Sequence, residues 1–133
     1  MSNLPAVGAD GASNGYQALQ AKLTALKAAA DQLRQEAELK ALRTKRNSDF
    51  ADVVSDLSAA AEVDGNHIAA INEVAAAFAR AAGSGMRVAA AADNVRLATE
   101  QLKSVHQAQY GRVQAAVTAS KARQAKPGFY RQT

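Results

Sequence analysis

At 133 residues with a formal net charge of +4, the chain has room for one domain, and 34 of its residues are alanine. Its 48% hydrophobic fraction therefore consists largely of a side chain that buries little surface, which excludes a thick globular core. The absence of cysteine excludes a disulfide framework, a thiolate nucleophile and a zinc–cysteine site.

Alanine is the strongest helix former and a poor strand former, and there are two prolines, so the expected fold class is all-α. The first ten residues lack the basic and apolar regions of a signal peptide. No run approaches the ~18 apolar residues of a membrane-spanning helix. The expected setting is soluble and cytoplasmic, with membrane association through a partner and signal-less export left open.

Residues 1–15, with Pro5, Gly8, Gly11 and Gly15, read as a flexible leader ending in a helix cap. A heptad row then begins: Tyr16, Leu19, Leu23, Leu26, Ala30, Leu33, Ala37. The stretch 43–48 has no large apolar residue, and a new row opens with Phe50, Val53 and Leu57. Val63-Asp-Gly-Asn-His67 is the mid-chain turn, where Asp64 or Asn66 can cap the next helix. That helix carries Ile68, Ile71, Ala75, Phe78 and Ala82 on one stripe, and Gly83-Ser84-Gly85 reads as a break. A last stretch from Met86 to about residue 124 has Val88, Ala92, Val95, Leu102, Tyr110, Val113 and Val117 near one seam. Pro127-Gly128 stops it, leaving 125–133 as a basic–aromatic tail.

The expected architecture is an antiparallel helical hairpin or coiled-coil-like bundle, with segments near 16–46, 49–62, 67–82 and 86–124. With the tip at 64–66, residue 47 falls beside residue 83 and residue 16 beside residue 114. The two interruptions then face each other, either by coincidence or as a waist near 47 and 83–85. The chain stays one long hairpin or folds its tip back into a four-helix bundle; both remain open here.

Charge is segregated along the chain. Residues 47–79 hold six acids and no Lys or Arg, among them Asp49, Asp52, Asp56, Glu62 and Asp64. Residues 101–133 hold six cations and no acid, among them Lys103, Arg112, Lys121 and Arg123. A hairpin turns this into an acidic tip and a basic stem. Solubility with favourable helix-end electrostatics accounts for the pattern, as does tip-to-stem self-association or a polyanion on the stem. Lys126, Pro127, Gly128, Phe129, Tyr130 and Arg131 form a tail suited to docking a protein partner, or to stacking on bases beside a cation.

No catalytic constellation emerges. His67 lies at the turn and His106 in a heptad row, where a histidine interrupts the seam and sets register; neither sits at a metal-ligand spacing. Asp49, Asp52 and Asp56 share a helix face at i, i+3 and i+7, without the ligand order of a calcium loop. Gly83-Ser84-Gly85 lacks the strand and the following Lys-Ser/Thr of a phosphate loop. No cofactor, metal or small-molecule substrate is expected. The alanine runs 28–30, 59–61, 75–77 and 89–92 permit close helix approach, and they either fill exposed positions or offer faces for another helix.

Several short motifs occur together: Tyr16-Gln-Ala-Leu-Gln-Ala-Lys-Leu23, Glu62-Val-Asp64 before Glu73-Val74, Tyr110-Gly111, and the ending Lys126-Pro-Gly-Phe-Tyr130. In these the chain resembles the short helical actinobacterial proteins called conjugal transfer protein TraB, which are distinct from the DNA-pumping ATPase of the same name. The resemblance implies an accessory role in conjugative DNA transfer between cells, in contact with the translocase, DNA or membrane-associated partners. The secreted helical hairpins with Trp-x-Gly at the turn are a second comparison, but this chain has no tryptophan and its Tyr110 is followed four residues later by Gln114, not an acid. The expected function is a non-enzymatic helical interaction protein, accessory to conjugation. The alternatives are a self-assembling coiled-coil protein and a small module binding DNA or anionic membrane.

Overall fold

The computed structural model describes residues 15–120; the leader before residue 15 and the tail 125–133 lie outside them. The described residues form two helices, α1 (Tyr16–Ala60) and α2 (Gly65–Ala119), paired as an all-α hairpin. Among them no helix is long and apolar enough to cross a membrane.

The turn is built by two local devices. Val63 N–H donates to the Ser58 carbonyl at 3.0 Å, and Glu62 N–H to Ala59 at 3.1 Å, closing the end of α1. This closure places Glu62 in the left-handed region, with φ of 57°. Glycine is the usual residue there, because a Cβ crowds the following carbonyl. Asp64 then starts α2: its Oδ1 accepts from Asn66 N–H at 2.8 Å, and its carbonyl accepts from His67 N–H at 3.0 Å. Of the two expected caps, Asp64 is therefore the one in place.

Both expected interruptions are absent. α1 runs unbroken through 43–48 and α2 through 83–85, so four expected segments are two helices and the folded-back four-helix bundle does not form. α2 ends at Ala119 rather than near residue 124. The residues that read as weak points are where the helices touch. Ser48 is buried and its hydroxyl donates to the Ala75 carbonyl at 2.9 Å. A Cβ on Gly85 would stand 3.1 Å from the Ala41 Cβ and 3.6 Å from the Ala37 carbonyl oxygen. Small residues were mistaken for helix breakers because the same residue types serve both purposes. The turn also sits earlier than 64–66, so Gly85 pairs with Ala41, about one helical turn from the expected register.

Contacts divide the described residues into two units, one spanning Ala29–Val95 and the other joining residues 15–28 to 96–120. In the Ala29–Val95 unit the buried seam is Ala30, Ala37, Ala41, Ser48, Ala51 and Ser55 from α1 against Ala75, Ala82, Ala89 and Ala92 from α2. The steps 37, 41, 48, 51, 55 and 75, 82, 89, 92 fit a heptad seam, with Thr44, Phe78 and Gly85 half-buried at the intervening positions. Half-buried Ile68, Ile71 and Phe78 fulfil the stripe expected for the start of α2.

In the second unit the seam is larger and more polar. Tyr16, Gln20 and Leu23 of α1 are half-buried with Lys103, His106 and Gly111 of α2, and Thr99 is buried. The Tyr16 ring stacks on His106 at 5.1 Å, and Tyr110 leans on the other side at 5.2 Å. Gln20 lies 2.8 Å from His106 Nδ1 and also donates to the Lys103 carbonyl at 3.3 Å. A Cβ on Gly111 would meet the Tyr16 hydroxyl at 3.4 Å, so this glycine leaves the phenol its place.

Candidate interaction surface

The heptad row expected on α1 is right in part. Tyr16, Leu19, Leu23, Ala30 and Ala37 are buried or half-buried, whereas Leu26 and Leu33 are exposed. The intervening row lies one residue later, at Gln20, Lys27 and Arg34, all half-buried. Further on, Phe50 and Val88 are exposed beside buried Ala51 and Ala89; Val53, Leu57, Val95, Leu102, Tyr110 and Val113 are exposed too, whereas Ala92 is buried and Val117 half-buried. Leucine size suggested the wrong phase, because close helix packing selects for small side chains instead.

Within the Ala29–Val95 unit both flanks of the seam mix polar and apolar residues. One carries a groove of about 330 Å³ lined by Ala41, Leu42, Lys45, Ala79, Ala82, Gly83 and Met86, and an ion-pair cluster. Arg34 binds Asp31 and Glu38, each at 2.9 Å, and approaches Asp93 of α2 at 3.9 Å. The hydrogen bonds it donates to Asp31 and then to Glu38, with the Glu38 charge, raise the guanidinium pKa above its ordinary value. Each of these acids follows a buried seam alanine: Asp31 after Ala30, Glu38 after Ala37, Asp93 after Ala92.

The opposite flank carries the residues that precede seam positions; it is charged at Glu36, Lys40 and Arg43, which precede Ala37, Ala41 and Thr44, and apolar around Phe50. Asn47, Phe50, Val54, Ala70, Ile71 and Val74 line a groove of about 460 Å³ with Ala51 and Phe78 at its floor. Leu33 and Val88 occupy the equivalent preceding positions before Arg34 and Ala89, and both are exposed. In the second unit, Lys27 pairs with Glu100 at 3.0 Å, and Glu100 also approaches Arg96 at 3.6 Å. The hydrogen bond and then the charge of Lys27 hold the Glu100 carboxyl below its ordinary value.

The expected site residues scatter. Asp49, Asp52, Asp56, Glu62 and Asp64 all lie in the Ala29–Val95 unit and are exposed; Asp49 is ion-paired with Lys45, and Asp64 is spent on the helix cap. This is a solvated face and a turn, not a pocket. Of the basic stem, Lys103 donates to the Thr24 hydroxyl at 2.7 Å and Arg112 is exposed, while Lys121 and Arg123 lie outside the described residues. The tail Lys126, Pro127, Gly128, Phe129, Tyr130 and Arg131 lies outside them too. His67 is exposed beside Asp64 at 3.9 Å, and His106 is the seam histidine that the heptad placed there. Among the described residues no group of His, Asp or Glu is arranged to hold a metal ion.

What the sequence pattern left unseen is the apolar groove. Its signal was present as Phe50, Val54 and Val74, each one residue before a seam position. The chain matches no protein-family model, no curated protein and no solved structure.

Proposed function

We propose that the chain is a non-enzymatic helical interaction protein that engages another polypeptide through the apolar groove beside Phe50. One observation carries this reading: the packing is inverted. The helix–helix seam is made of alanine, serine and glycine, while Phe50, Leu57, Val74, Met86 and Val88 stand on the surface. Scattered exposed apolar residues are ordinary, but Phe50 and Val74 belong to one contiguous apolar groove, and such a groove marks a contact surface. The TraB-like resemblance gives the reading a specific setting, an accessory role in conjugative DNA transfer.

A photo-crosslinking amino acid at Phe50 and, separately, at Val74 tests the reading in the native cell. Adducts with a polypeptide at both positions are expected, and adducts at neither would overturn it. For the conjugative setting, deleting the gene from a donor strain should lower transfer frequency, and a chain carrying Phe50→Asp should fail to restore it. Unchanged transfer after deletion would remove that setting.

A further inference from the structure

The groove beside Phe50 admits a more definite statement, which rests on the interaction reading above. We infer that its occupant is an amphipathic helix of another protein, apolar along one half of its contact face and acidic along the other, with the acids lying over Lys40 and Arg43.

The form of the occupant follows from the walls. On α1 the flank positions Lys40, Arg43, Asn47, Phe50 and Val54 recur at steps of three and four, and on α2 Ala70, Val74, Ala77, Ala81 and Ser84 do the same. A third helix laid between such rows keeps its own side chains in register with both. An extended segment repeats every two residues and docks by adding to a sheet edge, and the described residues are helical throughout these walls. From Lys40 to Val54 the flank runs about 21 Å, or about four helical turns.

The chemistry changes along that length. Phe50, Val54, Ile71, Val74 and Phe78 line the groove with no charged residue among them, so little desolvation opposes its burial. Phe50 is 69% exposed and supplies the anchor. Further along the same flank stand Arg43 and Lys40, both exposed. The α2 positions across from them, Ala81 and Ser84, carry no charge, and neither cation makes an ion pair among the described residues. Glu36, one turn beyond Lys40, accepts from Gln32 at 3.0 Å. The acids of the turn end do not offset these cations. Asp49, Asp52 and Asp56 each follow a buried seam residue, Ser48, Ala51 and Ser55, and so lie on the other flank. The groove side is apolar and then cationic, and the complementary helix is apolar and then acidic.

Fluorescent helical peptides of about 18 residues, titrated by anisotropy against the full chain, test the assignment. All carry leucines at three–four spacing over one half. Over the other half the same face carries glutamate or lysine, and each peptide is made with the charged half first and with it last. In one of the two orders the glutamate peptide should bind about tenfold or more tighter than its lysine counterpart, and the preference should shrink in high salt. Phe50→Asp should weaken binding by about tenfold or more, while Leu42→Asp, exposed on the other flank, should not change it. Lys40→Glu with Arg43→Glu should reverse the preference in favour of the lysine peptide, an outcome that loss of folding cannot produce. All four side chains are exposed, so helical circular dichroism should be unchanged.

Binding of neither peptide, equal binding of both, or a preference that survives the double reversal would each overturn the inference. Phe50-dependent sedimentation with phosphatidylglycerol vesicles, without peptide binding, would give the groove to a membrane surface instead. In cells the Val74 adduct should weaken when Lys40 and Arg43 are reversed. An adduct of twice 13.8 kDa would assign the groove to a second copy and overturn the acidic partner. A heterologous adduct indifferent to the reversal overturns the acidic partner alone, and the absence of adducts at Phe50 and Val74 overturns the interaction reading as well.

Discussion

Between Ala29 and Val95 the two helices meet through alanine, serine and glycine; in the unit formed by 15–28 and 96–120 they meet through tyrosine, glutamine, leucine, lysine and histidine. The first seam holds by proximity. Alanine loses no side-chain entropy on burial and lets one backbone approach another, as at Gly85 and Ala41. The second holds by direction. The Tyr16–His106 stack and the Gln20 contacts to His106 and Lys103 constrain which residues can be opposite each other. A seam of small residues specifies spacing strongly and register weakly, while a seam of polar and aromatic groups does the reverse.

The largest effect should come from putting bulk into the small-residue seam. At Gly85 even a methyl group would stand 3.1 Å from the Ala41 Cβ and 3.5 Å from its Cα. Gly85→Leu adds three further carbons toward backbone that cannot rotate away, and should destabilise by about 3 kcal/mol in urea denaturation followed by circular dichroism. Gly83 is the internal control. A Cβ there would meet only the flexible end of Arg87, at 4.0 Å, so Gly83→Ala should stabilise the helix by about 0.5–1 kcal/mol. Equal responses at the two glycines would show that the seam does not have the close approach described.

The other seam should respond to loss of a partner rather than to added bulk. His106→Ala removes the stack on Tyr16, the tilted contact with Tyr110 and the Gln20 hydrogen bond. The expected cost is about 1 kcal/mol. Hydrogen exchange should localise it, with faster exchange in residues 16–28 and 100–114 and unchanged protection across 37–55. Faster exchange of equal size in 37–55 would remove the distinction between the seams.

How much of this was legible in the sequence differs by region for the same reason. Fold class followed from alanine content, and the turn from Val63-Asp-Gly-Asn-His67, since Asp64 caps whichever helix follows it. His106 was placed correctly because a polar residue in a heptad row sits at the helix interface and fixes register there. The Ala29–Val95 seam was misread because hydrophobic periodicity ranks Leu33 and Phe50 above Ala37 and Ser48. That ranking assumes that packing rewards buried area, and it inverts where packing rewards closeness. Gly83-Ser84-Gly85 reads identically as a helix break and as a contact surface, and only the position of Ala41 opposite decides between them. The apolar groove was hidden by the same inversion, because hydrophobic periodicity assigns Phe50 to the core.

The smallest expected effect distinguishes the polar contacts of the second unit from the apolar seam through pH. Lys27 donates to Glu100 across the helices at 3.0 Å, and this bond, then the lysine charge, holds the carboxyl below its ordinary value in the folded chain. A group whose folded pKa is lowered contributes stability that is fully present above the unfolded pKa. That contribution is lost as pH falls through the folded value. Wild type should therefore exceed Glu100→Gln in stability at pH 7, and the margin should shrink to nothing in acid below the ordinary glutamate range. Both side chains are largely exposed, so the margin should be small and should fall further in high salt. Gly85→Leu should cost the same at either pH and salt, because no titrating group touches Gly85. A Glu100→Gln margin that persisted in acid would mean that the side chain stabilises the pair by shape or neutral hydrogen bonding rather than by its charge.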